Sequence, residues 1–507
     1  MPLVPIDLRP GILKNGTAYG QRGRWSDSNL VRWKDNAIRP VGGWERRLKS
    51  DSTPIAALWA DPTTEAARNI LAWTANDGSR HLVIGTNEAL YHVSASGAVT
   101  DISYSGFVGG SKNSGTLSGY GVGPYGVAAY GTERTGEGLI ATPVASWSLD
   151  LWGEDLIAVF RSDGERVYKW QPNVDATLIE IATAPQDFQG VVVTDERILL
   201  GIKATERLVQ WSDSEDRTEW TPDAANQSGS ITLAGNGPLV GLCKVLNTIL
   251  VLGANDAYAG RYLGPPFIYG FERVSDSCGL MAANALVASD TFAMWPCGRN
   301  MWSFNGAQVQ QVRSDVVDFF IRDLNKNERS KTYGFQIRDF NEIWWLYQSV
   351  NSTTGEPDSY ICYDYQQDHW TKGKLNRTVG ADRSPALRNP LMVTPAGLLF
   401  NHELRNVSIT TGPIPFCETA PVEIGQGDQQ TFVDYIYPDA ERAANLQARF
   451  KAADMPQDTK RDYGPFSMAN PVPVRVRGRQ IQVRFEGRDP DWAVGSMRLN
   501  IKPGGRK

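Results

Sequence analysis

The sequence predicts a mainly β protein: a β-propeller carrying an additional antiparallel β-sandwich platform formed by the two chain ends. Three observations predict it. Short apolar runs, each followed by a Gly/Asn/Asp turn and then an aromatic, recur at a spacing of roughly 35–45 residues, the period of four-stranded propeller blades. Most of the 16 tryptophans fall inside these units. Only one stretch of the chain has helical periodicity, whereas 49 glycines and 29 prolines supply many turns.

Taken in order, residues 1–50 read as an extended N-terminal arm that contributes strands to the platform. Asn29-Leu-Val-Arg-Trp33 alternates, Lys34-Asp-Asn36 turns, and Arg39-Pro-Val-Gly-Gly-Trp44 permits a tight bend. Residues 51–405 read as the propeller, with Asn76-Asp77-Gly78 as a hairpin signal in the first blade. His81–Gly85 leads to Tyr91, Leu156–Phe160 to Trp170, Ile198–Ile202 to Trp211, Ile249–Leu252 to Tyr258, and Trp344–Tyr347 to Tyr360. Between the first two blades, 106–138 is a Gly/Ser/Tyr-rich insertion, with Tyr120-Gly, Tyr125-Gly and Tyr130-Gly recurring every five residues. It is too long for an ordinary turn. The helical stretch is Arg313 to Lys331, where Val316, Val317, Phe320, Ile321 and Leu324 share one face. Residues 406–507 alternate as strands of an antiparallel sandwich. Within 474–485 the apolar parity slips at Gly478, so a bulge or turn is expected there. Arg475, Arg477 and Arg484 then point outward.

A chain of 507 residues exceeds one ordinary core. Its formal charge is −5, but Arg475 to Lys507 holds nine Arg/Lys against three Asp/Glu, leaving −11 for the remainder. An acidic body is a poor candidate for gripping nucleic acid through counter-ion release. The basic C-terminal segment suits phosphate, an acidic protein surface, or simply a solvated strand face. Five widely spaced cysteines fit reduced, mostly buried thiols. No apolar run reaches the roughly 18 residues of a membrane span. The opening Met1-Pro-Leu-Val-Pro-Ile-Asp lacks the pattern of a signal peptide.

Catalytic and cofactor motifs are absent. Gly121-Val-Gly123-Pro-Tyr-Gly126 spells a dinucleotide fingerprint, but no apolar strand precedes it and Pro124 interrupts it. Walker A and GxSxG motifs are missing, and the four histidines are scattered without zinc-protease spacing. His369, in Asp368-His369-Trp370, suits a structural, hydrogen-bonded role. Ser214-Glu-Asp216-Arg-Thr-Glu-Trp220 is weakly similar to the Asp-box turn of sialidase propellers, without its glycine and with the Trp displaced. No catalytic, metal or cofactor residues are therefore expected.

The wording of several repeats is more specific. Trp211-Ser-Asp-Ser-Glu-Asp-Arg-Thr-Glu-Trp220-Thr-Pro, Asn226-Gln-Ser-Gly, Gly237-Pro-Leu-Val240, Tyr262-Leu-Gly-Pro-Pro-Phe267 and Val274-Ser-Asp-Ser-Cys-Gly279 follow one another. Glu342-Ile-Trp-Trp-Leu-Tyr347 with Trp370-Thr-Lys-Gly373, Arg39-Pro-Val-Gly-Gly43, Gly478–Phe485 and Met497–Gly504 complete the series. In this order they resemble the tail nozzle, or tail tubular hub, proteins of short-tailed bacteriophages, over most of the chain apart from the insertion.

The resemblance implies a non-enzymatic virion protein, assembled in the bacterial host cytoplasm into a six-fold ring below portal and adaptor. Such a ring surrounds the channel that retains packaged double-stranded DNA and passes it at ejection, without sequence-specific binding. The propeller would lie outside, where tail fibres could dock, and the platform built from both chain ends would meet the adaptor. Within that picture, Tyr120, Tyr125 and Tyr130 are the candidate channel or gate residues. Arg475, Arg477, Arg479 and Arg484 are the candidate inter-subunit or adaptor contacts. The alternative is a receptor- or glycan-binding, or glycan-hydrolysing, propeller at the tail tip. There Trp344-Trp345 would offer stacking surfaces, although strand alternation sends one of the pair to the core. A cellular scaffold propeller is a third reading, which the motif order disfavours.

Overall fold

A computed structural model describes residues 3–17, 19–116, 141–162, 166–410, 412–423, 429–455, 457–468 and 470–504. Seven four-stranded antiparallel sheets follow one another along the chain. Their first strands are Ala67–Thr74, Ser146–Trp152, Phe188–Val193, Leu239–Val245, Val287–Ala288, Tyr333–Ile337 and Val379–Ala381. Each first strand touches that of the next sheet, and the seventh touches the first. This cyclic order is the arrangement of a β-propeller, which leaves only short, protected strand edges.

The blades are built by apolar runs buried on both faces. Leu156–Phe160, Leu199–Ile202 and Ile249–Leu252 lie in the middle strands of blades two, three and four and are almost fully buried. Tryptophans fasten neighbours. Trp147, at the start of blade two, donates its indole N–H to the Thr86 carbonyl of blade one at 2.7 Å. Gly85 makes room for it: a Cβ there would lie 2.4 Å from the Trp147 ring.

The last blade closes the ring with both ends of the propeller chain. Its outermost strand is Gly43–Arg46, which pairs with Leu399–Leu404. The N-terminal arm therefore divides. Its earlier strands join other sheets, and residues 43–46 belong to the propeller. Gly42-Gly43 serves a close approach rather than the expected tight bend, because a Cβ on Gly43, the first residue of that strand, would sit 2.0 Å from the Val407 carbonyl oxygen.

Two six-stranded sheets and a two-stranded pair, Gly115–Thr116 with Ala141–Thr142, make up the remaining sheets of the described residues. One six-stranded sheet orders Val31–Lys34, Ala37–Pro40, Ala493–Pro503, Thr431–Glu441 and Val472–Gly478, with Leu3–Ile6 also on Ala493–Pro503. The other orders Trp25–Asn29, Phe416–Thr419, Gln480–Glu486, Gln447–Ala453 and Arg461–Ser467, with Val422–Glu423 also on Gln480–Glu486. Val474, Val476, Leu499 and Ile501 of the first share one apolar cluster with Phe450, Ile481, Val483 and Phe485 of the second. Of the bulge or turn expected at Gly478, the structure has a bend between two strands, Val472–Gly478 and Gln480–Glu486. The chain leaves one sheet and enters the other there, and each strand turns its apolar set to the same core. The cluster continues into blades five and six through Met301, Trp345, Tyr363 and Trp370.

The helical stretch is shorter than its periodicity predicts. An α-helix spans Val317–Asp323, and Leu324 is extended at φ −66°, ψ 128°. The Asn325 side chain then caps a new 3-10 turn, Lys326–Lys331, by accepting from the Asn327 N–H. Val316, Val317, Phe320 and Leu324 are buried as the stripe implied, in the cluster that joins blades and sheets.

Candidate functional site

The middle of the propeller is crossed by side chains. Asn284, in the segment entering blade five, donates through Nδ2 to the Arg68 carbonyl of blade one at 2.7 Å. Its Oδ1 accepts from Arg161 Nη1 of blade two at 2.7 Å. Asn69 of blade one donates to the Trp147 carbonyl at 2.9 Å and accepts from the Tyr333 hydroxyl of blade six at 3.3 Å. One asparagine side chain thus bridges blades on opposite sides of the ring. A nucleic acid duplex cannot thread a bore so narrow.

Beside this axis lies the root of the Gly/Tyr-rich insertion. Gly115–Thr116 pairs antiparallel with Ala141–Thr142, so the two stems leave the fold side by side. The Ser114 N–H donates to Glu328 Oε2 at 3.0 Å, its hydroxyl meets Ser330 Oγ at 2.9 Å, and the Val144 N–H donates to Ser330 Oγ at 3.1 Å. Lys331 Nζ donates to Asn113 Oδ1 and to the Gly355 carbonyl, each at 2.7 Å. Beneath them the fully buried Glu356 receives both Arg68 Nη1 at 2.6 Å and Nη2 at 2.9 Å. Lys112 and Lys331 each stand 3.7 Å from its Oε1. Burial would raise the Glu356 carboxyl, but Arg68, Lys331 and Lys112 outweigh it and hold it below the ordinary carboxylate range. Sequence reading missed this anchor, because its partners are separated by 24 to 288 residues and match no local motif.

Tyr120, Tyr125 and Tyr130, with the glycine motif at 121–126, lie outside the described residues. The four arginines do not form one surface. Arg475 and Arg477 are exposed on Val472–Gly478, an edge strand of the first six-stranded sheet. Arg479 lies at the crossing between the sheets. Arg484 sits inside the second sheet, stacked 3.6 Å from the Phe416 ring and donating to Glu486 at 2.8 Å.

Several residues that the sequence offers for chemistry have structural partners among the described residues. Asp216 accepts from the Thr218 N–H at 2.8 Å and hydroxyl at 2.6 Å, and Trp220 packs on Phe188, so the Asp-box-like segment is a tight turn. Trp344 and Trp345 are both buried, one stacked on Tyr360 and the other on Trp370, and neither offers a face to a sugar. All five cysteines are free thiols. Burial pushes Cys243 up to about 12 and Cys278 to about 11, away from thiolate reactivity. Among the described residues no three potential ligands converge as for a metal ion, and no helix is long and apolar enough to cross a membrane.

Two of the scattered histidines meet in blade one. His81 Nδ1 and His92 Nε2 are 3.1 Å apart, Ser79 Oγ is 2.8 Å from His81 Nε2, and Trp170 packs on both rings. Burial lowers both imidazoles, His92 to about 4, with His81 adding to the effect on His92. Their folded values therefore lie below the unfolded value of roughly 6.5. In that interval the unfolded chain binds more protons, so the pair's contribution is complete above it and lost as pH falls. Asp150, which burial raises to about 6, acts in the opposite direction. A His81→Gln/His92→Gln variant should therefore show a flatter fall of the urea midpoint between neutral pH and about pH 4.5 than the wild type. Parallel pH profiles would refute this assignment.

No family model and no curated protein matches this chain. Among solved structures, it is similar to the WD40 domain of Neurospora crassa Pan2, at 9% identity and TM-score 0.39, over 75% of this chain and 99% of that one. The structure of U3-55K is similar at 7% identity and TM-score 0.39, over 69% and 98% of the two chains. The computationally designed Ika8 protein is similar at 9% identity and TM-score 0.38, over 75% and 98%. The blade arrangement rests on the sheet order and the cyclic strand contacts, not on these likenesses.

Proposed function

We propose that this chain is a virion structural protein, a tail nozzle or hub that forms a ring around a DNA channel below portal and adaptor. The ordered motifs resembling short-tailed phage tail proteins motivate the reading. The closed propeller axis is the observation that carries it furthest: DNA cannot pass through one copy, so a channel requires several copies around it. Cyclic assembly through heterologous contacts produces such a channel. The two six-stranded sheets, built from both chain ends, serve in this reading as the platform toward the adaptor. The exposed Arg475 and Arg477 remain available for contact there. Arg479, at the crossing, and Arg484, partly buried and engaged by Phe416 and Glu486, complete the proposed contact series. The insertion stems would carry a gate from a firm base.

Mass measurement and electron microscopy of the purified chain should show a ring with a central opening. A species that stays monomeric in the assembled particle would overturn the proposal. The gate has its own test. Because Thr116 and Ala141 are Cα partners, residues 117–140 can be replaced by a short glycine link without removing the anchor. Particles carrying that deletion should assemble and package, then lose DNA. Particles that keep their genome and infect normally would exclude gating. The glycan-binding alternative is weakened by the burial of Trp344 and Trp345.

A further inference from the structure

Four arginines are buried among the described residues: Arg32, Arg68, Arg207 and Arg377. Three of them meet carboxylates. Arg32 pairs with Glu342 and Glu403, Arg68 with Glu356, and Arg207 with Asp256. Arg377, in the connector between blades six and seven, forms no ion pair. Its Nε donates to His402 Nε2 at 3.1 Å and its Nη1 to the Asn376 carbonyl at 2.8 Å, while Nη2 has no partner. The guanidinium lies 4.7 Å from the Phe400 ring centroid and 5.3 Å from that of Trp44. His402 cannot supply the missing charge. It is buried, and burial together with Arg377 drives its imidazole well below the ordinary range, so it stays neutral. Burial alone lowers Arg377 to about 9. A cation only 6% exposed thus stands without a counter-charge, a costly arrangement unless something completes it.

Arg377 lines a cavity of about 680 Å³ at the seam where the last blade closes the ring. That volume is in the range of small-molecule sites. Trp44, Leu375, Pro395, Leu398, Phe400 and Pro413 supply apolar walls. Lys112 also borders the cavity, but its ammonium donates to the Pro62 carbonyl at 2.6 Å and faces Glu356. One cation is therefore unsatisfied, which suits a monoanion better than a phosphate dianion.

We propose that this cavity binds a small organic acid, its carboxylate on Arg377 and its apolar body against Trp44, Leu398 and Phe400. The site goes beyond the proposed ring and does not depend on it.

Calorimetric titration of the full chain with benzoate, with benzamide and inorganic phosphate as controls, tests the assignment. Benzoate should bind at least about tenfold more tightly than benzamide, the ratio expected of a charge-assisted hydrogen bond. Phosphate should bind more weakly than benzoate. In Arg377→Met the preference for benzoate should vanish, while Tm stays level or rises because an uncompensated cation is gone. Ala396→Trp, a change at an exposed position on the cavity rim, should block benzoate with Arg377 intact. Equal affinity for benzoate and benzamide, no binding of either, or retention of benzoate selectivity by either variant would overturn the proposal.

Discussion

Arg32→Met should lower the unfolding free energy by about 3–5 kcal/mol, the cost of stranding buried carboxylates by removing their partner. Arg32 lies on Val31–Lys34 of a six-stranded sheet, and its guanidinium reaches two blades. Nε and Nη2 donate to Glu342 of blade six at 2.8 and 2.9 Å. Nη1 and Nη2 donate to Glu403 of blade seven at 2.6 and 2.7 Å. Its plane also stacks 3.6 Å from the Phe340 ring centroid. Burial would lower the guanidinium's affinity for its proton, but the two carboxylates reverse this and raise it above its ordinary value. The carboxylates are themselves held by neighbours, Glu342 by the Trp344 indole N–H at 2.9 Å and Glu403 by the Gly42 N–H at 3.0 Å. Glu342 is buried and cannot turn to solvent when Arg32 is removed, and Glu403 is partly buried. A loss of this size is a large fraction of a typical domain's stability. Urea unfolding followed by tryptophan fluorescence would measure it. Arg32→Lys should also lose stability, because an ammonium cannot fork to two carboxylates. The triple change Arg32→Met, Glu342→Gln, Glu403→Gln should recover much of the loss, since no buried charge then remains unpaired. A deficit under about 1 kcal/mol in the single variant would mean that the carboxylates escape to water and that the network does not lock the sheets to the blades.

The same residue shows where the sequence is legible and where it is not. Asn29–Trp33 alternates, so a strand at Val31–Lys34 could be read locally. The partners of Arg32, 310 and 371 residues away, could not. The blade repeats were readable because each blade is a local meander, with its apolar runs and turn residues close in sequence. The ring closure was not, because Gly43–Arg46 completes a blade whose other strands begin at Val379. Parity at 474–485 was read correctly as a slip. A slip alone cannot distinguish a bulge within one sheet from a passage between two sheets that share a core. The helix at 313–331 shows the opposite error. Its apolar stripe was real, but Asn325 offers a local side-chain cap that competes with continued helix. The arginine series 475, 477, 479 and 484 looked like one basic face in sequence, yet the crossing at Gly478 divides it between two sheets. Candidate chemistry was hardest to read. Glu356 and Arg377 carry no motif, and their roles come from burial and from partners that only the closed ring assembles.

Glu356→Gln should also cost about 3–5 kcal/mol, and its second effect is local to the insertion. The substitution keeps side-chain size but removes the charge that Arg68, Lys331 and Lys112 share. Burial already lowers Lys331 against the opposing pull of Glu356 and Glu328, so loss of Glu356 favours release of the lysine's proton or of its contacts. Those contacts include Asn113, next to the insertion stem. Limited proteolysis should therefore show faster cleavage near 112–116 and 141–144 in the variant, beyond what its global stability loss produces in other loops. The pH dependence gives an independent readout. Because Glu356 is held below its ordinary value, its contribution is present above roughly pH 4.5 and is lost as pH falls toward its folded value. The wild type should lose stability over that acid range, and Glu356→Gln should lose less. If the variant's acid profile runs parallel to that of the wild type and its stems resist protease equally, Glu356 is not the anchor of the insertion. If stability falls but cleavage rises uniformly over all loops, the cluster ties blade one to blade six without anchoring the insertion.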